Sequence, residues 1–110
     1  MVSVPVALYP ANTPPASKFT CLVYPALRLA YLTGIVEPRS SSVFTSGKRY
    51  TMANLPVAYA PPSNVDIASS ASGTIPIAAS TWKDGQIVLS PKGGSIAASE
   101  SITLSGIWSY

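Results

Sequence analysis

Proline and glycine interrupt this chain so often that almost no stretch is long enough for three turns of α-helix. The 110 residues include 11 prolines and 7 glycines, and a proline inside a helix removes a hydrogen bond and clashes with the turn before it. Between the interruptions, apolar residues alternate with polar ones and do not recur at the three- and four-residue spacing of a helix. The sequence therefore predicts an all-β protein.

The alternation predicts about eight to ten short strands, which are typical of an antiparallel β-sandwich or a small, jelly-roll-like β-barrel. The first strand covers residues 2–8, where Pro5 lacks a backbone donor and belongs at a sheet edge or at the edge of a partner chain. Residues 19–24 form the next strand. Residues 27–36 are long enough for a central strand with both faces covered, and residues 102–109 form the last strand.

Two turns and one loop are predicted between the later strands. Ser46-Gly47-Lys48 is expected to join residues 43–45 and 49–52 as a short hairpin. Asp84-Gly85 is expected to form a type I′ turn, in which both central residues have positive φ. The Pro-rich residues 55–62 are predicted to be extended coil.

The length of the chain limits it to one domain, because two would each be too small to fold alone. We predict that this domain spans residues 16–110 and that residues 1–15 form a Pro-rich extended arm, a candidate assembly anchor. Neither an uninterrupted apolar stretch of about 20 residues nor a signal-peptide pattern is present. We therefore expect a protein that is neither inserted in a membrane nor secreted.

Residue types needed for most catalytic sites are scarce. The chain has no histidine and one cysteine, which excludes zinc fingers, Cys-His dyads and Ser-His-Asp triads. Glu37 precedes a proline, Asp84 belongs to a turn, and no spacing argument joins the other two carboxylates, Asp66 and Glu100, into a glycosidase pair. A small polysaccharide-processing enzyme is kept as a third hypothesis, but we predict no catalytic, metal or cofactor site. Cys21 lies in an apolar run and is predicted to be a buried structural thiol.

Charged residues make up 10% of the chain, compared with about 25% in a typical soluble domain. Such a surface is short of ions, so we expect other subunits to cover much of its apolar area. The formal net charge of +3 comes from basic residues that are scattered along the chain. We therefore predict no binding to nucleic acid.

Aromatic residues are the remaining candidates for ligand contact, because a sugar ring can stack its apolar face on an exposed indole or phenol. Trp82 precedes the predicted turn at Asp84, and Tyr59 lies in the Pro-rich loop. We predict that Tyr59, Trp82 and Asp84 contact a glycan or another subunit. Trp108 and Tyr31 are predicted to lie in the core.

Four short motifs follow one another in an order that resembles a known family. They are residues 31–36 (YLTGIV), 55–62 (LPVAYAPP), 84–87 (DGQI) and 102–108 (ITLSGIW). The chain resembles the receptor-binding head domains at the C-terminal tips of tail fibres and minor tail proteins in tailed bacteriophages, over residues 24–110. Ala58 and Ala60 stand where the family pattern has Gly and Arg, so the turn and the charge contact of those residues are not carried over.

The resemblance implies an antiparallel β-sandwich or barrel assembled as a homotrimer, with receptor contacts in loops and often between subunits. The first hypothesis is accordingly a virion structural protein like a tail-fibre tip, which attaches to a host cell-surface saccharide without catalysis. It would contact other virion structural proteins. Because one short strand precedes the rest of the domain, we expect a free-standing head held to the virion by residues 2–15.

The alternative is a capsid decoration or head-fibre protein whose arm, residues 1–15, lies along neighbouring capsid subunits. An edge strand rich in proline has little reason to exist in an isolated domain, and this motivates the alternative. Both hypotheses place the protein on the virion, at the surface of the tail or of the capsid.

Overall fold

The structure, a computed structural model, describes residues 1–9, 17–36, 44–71, 77–93 and 101–110. Nine strands form one antiparallel sheet, and a 3-10 turn at Val57–Tyr59 is the helical element of these ranges. The all-β prediction is confirmed. In chain order the strands are β1 (Val2–Val4), β2 (Ala7–Leu8), β3 (Lys18–Tyr24), β4 (Leu29–Val36), β5 (Tyr50–Asn54), β6 (Val65–Ala71), β7 (Ile77–Thr81), β8 (Gln86–Pro91) and β9 (Ile102–Ser109).

The sheet has the order β1-β3-β4-β9-β6-β7-β8-β5-β2 and curls into a half-barrel. Strand β6 belongs to both halves, because residues 68–71 pair with β9 while residues 65–67 pair with β7. We call the half made of β1, β3, β4, β9 and residues 68–71 layer 1. The other half, made of residues 65–67 with β7, β8, β5 and β2, is layer 2.

The N-terminal segment contributes a strand to each edge of this sheet. Strand β1 pairs with β3 at one edge, and β2 pairs with β5 at the other. Only Pro5 and Val6 separate β1 from β2, and three steps of extended chain span at most about 11 Å. The two edges therefore approach each other, and the single strand predicted over residues 2–8 is instead two edge strands.

The described part of the predicted arm thus lies within the sheet of its own chain. The predicted boundary between residues 15 and 16 falls in the stretch 10–16, which lies outside the described residues.

One core lies between the inner faces of the two layers. Trp108 is 4% exposed, as predicted, and its indole Nε1 donates a 2.8 Å hydrogen bond to the carbonyl of Tyr59. This bond ties the Pro-rich loop to β9. Cys21 is fully buried, as predicted, and burial raises the pKa of its thiol. Other fully buried side chains come from both layers and include Val23, Leu32, Val36, Met52, Ile87, Leu89 and Ile102.

The predictions that Tyr31 lies in the core and that its strand is covered on both faces are wrong for the isolated chain. Tyr31 is 44% exposed on the outer face of β4, whereas its neighbours Ala30 and Leu32 are buried on the inner face. The sheet curls so that only its concave side is covered. A long apolar run therefore gives a strand with one buried face.

The predicted hairpin around Ser46-Gly47 is only partly present. The turn forms, with Gly47 at φ +81°, and the N–H of Gly47 donates a 3.0 Å hydrogen bond to the carbonyl of Pro91. The partners of strand β5 in the sheet, however, are β8 and β2, which are both distant from it in sequence. Residue 43, on the other predicted side of the hairpin, lies outside the described residues.

The substitution Val4→Asp tests whether the N-terminal segment holds the sheet closed. Val4 is 5% exposed and lies opposite Cys21, so a carboxylate there would be buried without a partner. We expect the free energy of unfolding, measured by urea denaturation, to fall by about 3 kcal/mol or more.

Ser3→Asp is the matched control, because Ser3 is exposed on the same strand and an exposed substitution changes stability by about 0.5 kcal/mol or less. An unchanged urea midpoint for Val4→Asp would show that the segment is not part of the fold.

Candidate functional site

The outer face of layer 2 carries a cleft of about 320 Å³. Most of its lining residues follow the two-residue period that places alternate side chains of a strand on one face. They are Arg49, Asn64, Asp66, Ala78, Ser80, Trp82, Val88, Ser90 and Lys92. Strand register aligns them, with Asp66 opposite Ser80, Ser80 opposite Val88, and Ala78 opposite Ser90. The sheet therefore brings residues from four separate segments of the chain into one site.

Trp82 is the aromatic residue of this cleft. Its indole is half-buried, and the indole Nε1 donates a 2.9 Å hydrogen bond to the hydroxyl oxygen of Ser80. The guanidinium carbon of Arg49 lies over the ring, 5.7 Å from its centre, within the range of a cation–π contact. The hydrogen bond to Ser80 thus fixes the orientation of the indole ring, and the guanidinium group of Arg49 occupies part of one face of that ring.

The hairpin between β7 and β8 positions Trp82. The N–H of Trp82 donates to the carbonyl of Gln86 at 2.8 Å, and the N–H of Gly85 donates to the carbonyl of Trp82 at 2.9 Å. Gly85 has φ +94°, whereas Asp84 does not have a positive φ. The connection is therefore three residues long, a type I turn followed by a glycine bulge, and the predicted type I′ turn is wrong.

A glycine is required at position 85 because the backbone there has a positive φ and because no room is left for a side chain. A Cβ atom at this position would overlap the carbonyl oxygen of Leu55, whose N–H in turn donates a 2.8 Å hydrogen bond to the carbonyl of Gly85. The hairpin is thereby fixed against the loop that follows β5.

Asp84 shapes this hairpin and does not line the cleft. Its carboxylate accepts hydrogen bonds from the side-chain Nε2 of Gln86 at 2.7 Å and from the backbone N–H of Gln86 at 3.1 Å. These bonds lower the pKa of the Asp84 carboxyl, the side-chain bond most of all. Asp84 thus positions the hairpin, and its contact with a glycan or another subunit stays a prediction.

Tyr59, the third predicted contact residue, lies away from the cleft. It belongs to the 3-10 turn Val57–Tyr59, is half-buried, and meets the ring of Tyr110 edge-on at a centroid distance of 5.3 Å. The ring of Tyr110 is in turn covered by Arg28, whose guanidinium carbon lies 5.0 Å from the ring centre. Of the three predicted residues, the structure places only Trp82 in the cleft.

Two cations and one carboxylate line the cleft, namely Arg49, Lys92 and Asp66. Within the described part of the chain, none of these three side chains forms an ion pair. Asp66 is the one carboxylate among the described lining residues. Glu100, the other carboxylate weighed for a hydrolase, lies outside the described residues.

Ser90 carries an unsatisfied hydrogen-bonding group in this cleft. The residue is 6% exposed, and its Oγ is buried without a hydrogen-bond partner among the described residues. A buried hydroxyl without a partner costs about 1–3 kcal/mol. Ser90 lines the cleft, but its Oγ is closed to solvent, so a bound molecule would reach this hydroxyl only if the side chain turned toward the cleft.

The sequence alone does not reveal that Arg49, Asn64, Ser90 and Lys92 accompany Trp82. The signal present in the sequence is the two-residue spacing within 64–66, 80–82 and 88–92, which places each set on one face of its strand. The local sequence does not show which strands are neighbours in the sheet. It therefore does not show which of these sets of side chains come together.

The outer face of layer 1 differs in chemistry, and we call it the apolar face. Its outward side chains are uncharged apart from Lys18 at one end. The uncharged ones are Ser3, Thr20, Leu22, Tyr24, Leu29, Tyr31, Thr33, Ile35, Ala68, Ser70, Thr103, Ser105, Ile107 and Ser109. Four large side chains of this face are exposed, namely Tyr24, Tyr31, Ile35 and Ile107, at 42%, 44%, 49% and 63%.

Among the described residues, no group of three or more His, Cys, Asp or Glu side chains is placed to hold a metal ion. The same part of the chain contains no helix of the length and apolar character needed to cross a membrane. Comparisons with protein-family models, with curated proteins and with solved structures find no match for this chain.

Proposed function

We propose that this protein is a bacteriophage virion component, a domain like a tail-fibre tip that attaches to a saccharide on the host surface without catalysis. The observation that carries the proposal is the cleft on layer 2, where a fixed, half-buried indole is surrounded by polar side chains. Small-molecule sites combine aromatic surface with a few placed polar groups, within about 300–1,000 Å³. The cleft, at about 320 Å³, lies at the lower end of that range.

The packing of the four motifs that carry the tail-fibre resemblance also supports the proposal. The motif at residues 31–36 belongs to β4, which pairs along its whole length with β9, the strand of the motif at 102–108. The loop motif at 55–62 is tied to the same strand by the bond from Trp108 to Tyr59. The remaining motif, at 84–87, forms the hairpin next to Trp82. The motifs that define the resemblance thus occupy the centre of the fold and the border of the cleft.

We further propose that the apolar face binds other copies of this chain, and the resemblance favours a homotrimer. With strands about 4.8 Å apart and residues about 3.3 Å apart, the face covers on the order of 500 Å². Large exposed apolar side chains that lie together on a monomer often mark an interaction site, and here Tyr24, Tyr31, Ile35 and Ile107 are such side chains among serines and threonines. Exposed Tyr31 and Ile107 lie opposite each other at its centre. Self-association there would cover part of the apolar surface of a chain with only 10% charged residues.

The alternative, a capsid decoration protein anchored by residues 1–15, gains no support from the described part of that segment. Strands β1 and β2 pair within their own chain, so the described part of the arm is folded onto its own domain and does not extend away from it. The tail-fibre interpretation also uses residues 2–15 to hold the head to the virion, so the same pairing bears on that attachment as well.

The substitution Trp82→Ala tests the saccharide site. We expect isothermal titration calorimetry to detect binding to at least one bacterial surface polysaccharide preparation, whether O-polysaccharide, capsular polysaccharide or wall teichoic acid. Loss of the indole should weaken that binding by about tenfold or more, which corresponds to about 1.4 kcal/mol.

Tyr9→Ala is the control, because it removes a side chain that is 44% exposed and lies outside both the cleft and the apolar face, and it should leave the affinity unchanged. Binding to none of the preparations, or equal binding by Trp82→Ala and the parent chain, would contradict the proposal.

The substitution Ile107→Asp tests assembly through the apolar face. Ile107 is 63% exposed, so the chain should still fold, while three buried carboxylates at a trimer interface would repel one another. Analytical ultracentrifugation should show a trimer for the parent chain and a monomer for the variant. Val57→Asp, at a position that is 67% exposed outside the apolar face, should remain trimeric. A folded, monomeric parent chain at micromolar concentration would refute the assembly.

Immunoelectron microscopy of phage particles with an antibody against the purified chain separates the two virion locations. The proposal predicts labelling at the tip of the tail. Labelling of the capsid shell would favour the decoration protein, and particles that lack the protein altogether would contradict both interpretations.

A further inference from the structure

We infer that the cleft on layer 2 selects an anionic saccharide and that Arg49 and Lys92 bind its acidic group. This inference rests on the proposed function and specifies the class of ligand. Both cations line the cleft, and neither has an ion-pair partner in the described part of the chain. Because the chain has few charges, two cations that form no ion pair with any described residue and line one concave site are a specific feature of this surface.

The strand register places the cations around the unsatisfied hydroxyl of Ser90. Tyr50 lies opposite Leu89 in the pair β5–β8, so the next step along each strand brings Arg49 beside Ser90. Lys92 follows Ser90 at the two-residue spacing that returns a side chain to the same face. The hydroxyl of Ser90 is buried and has no partner in the described structure, and if its side chain turned toward the cleft it would donate a hydrogen bond to an anionic oxygen bound between the two cations.

The contact between Arg49 and Trp82 positions the guanidinium group before any ligand binds. The guanidinium carbon lies 5.7 Å from the centre of the indole ring, and the ring itself is held by the bond from its Nε1 to Ser80. A guanidinium held in this way loses less side-chain entropy on binding, and its planar fork matches the two oxygens of a carboxylate or phosphate. Trp82 would therefore act on the ligand partly through Arg49.

The opposite side of the cleft offers groups suited to sugar hydroxyls. Asp66 comes from β6, which lies on the other side of β7 from β8, and its carboxylate can accept hydrogen bonds from hydroxyl groups. The side-chain oxygen of Asn64 already accepts a 3.0 Å bond from the N–H of Lys83, which leaves the amide NH₂ of Asn64 as a donor. The cleft thus has a basic side for an acidic group and a polar side for the rest of the sugar.

Three defined oligosaccharides of similar length distinguish the sources of negative charge. Oligogalacturonate carries carboxylates, an oligomer of glycerol phosphate linked to sugars carries phosphates, and dextran oligomers are neutral. We expect calorimetry to detect binding of at least one anionic oligomer. The anionic oligomer that binds more tightly shows whether the cleft prefers a carboxylate or a phosphate. Binding should weaken as NaCl is raised from about 50 to 500 mM, because salt screens the charges.

Arg49→Ala should weaken binding of the anionic oligomer by about tenfold or more, and Arg49→Lys should give an intermediate loss because it keeps the charge without the fork. Lys48→Ala is the matched control, because Lys48 is an exposed cation next to Arg49 in sequence that does not line the cleft. It should bind like the parent chain.

Equal binding of dextran and the anionic oligomers, or unchanged binding by Arg49→Ala, would overturn the inference. So would a failure of all three oligomers while bacterial polysaccharide preparations still bind through Trp82, a result that leaves the proposed function standing. Absence of binding to those preparations as well would overturn both.

Discussion

The short N-terminal segment that reaches both edges of the sheet is the constraint on which the rest of the structure depends. An open antiparallel sheet leaves a row of unpaired backbone groups at each edge, where it can pair with other chains. Strand β1 is the edge strand beside β3, and β2 is the edge strand beside β5, so both edges of this sheet belong to one short segment. Pro5, which has no N–H to offer a ladder, lies where the segment passes from one layer to the other. Because the same few residues hold both layers, the inner faces stay together and enclose the core.

Once the core is closed, the two-residue period of each strand decides what the outer faces present. On layer 2, the period places Asp66, Trp82 and Ser90 around one cleft, whereas on layer 1 it exposes Tyr31 and Ile107 among hydroxyl-bearing side chains. In the proposed function, the ligand and the other subunits would bind to opposite layers. Assembly would then leave each cleft open, and a trimer would carry three clefts, which can gain avidity for a long repeating polysaccharide.

Features that depend on local alternation could be predicted from the sequence. The all-β class, the last strand and the burial of Cys21 and Trp108 follow from spacing within short segments, and the structure confirms them. The exposure of Tyr31 and the pairing of β5 with β8 could not be predicted, because they depend on which strands become neighbours across 30 residues or more. For the same reason, the sequence predicts Trp82 as a contact residue from the turn signal beside it, but it does not predict that Arg49 lies next to Trp82. The tail-fibre resemblance, the homotrimer and the host saccharide remain predictions.

Backbone amide chemical shifts, measured by NMR during a titration with oligogalacturonate and separately during dilution of the chain, test most directly whether the two layers carry separate functions. The account predicts that the ligand shifts the amide signals of Asp66, Trp82 and Ser90, while those of Tyr31 and Ile107 stay in place. Dilution should move the signals of Tyr31 and Ile107 as subunits separate and leave the cleft unchanged. Ligand-induced shifts centred on Tyr31 and Ile107 would contradict the account.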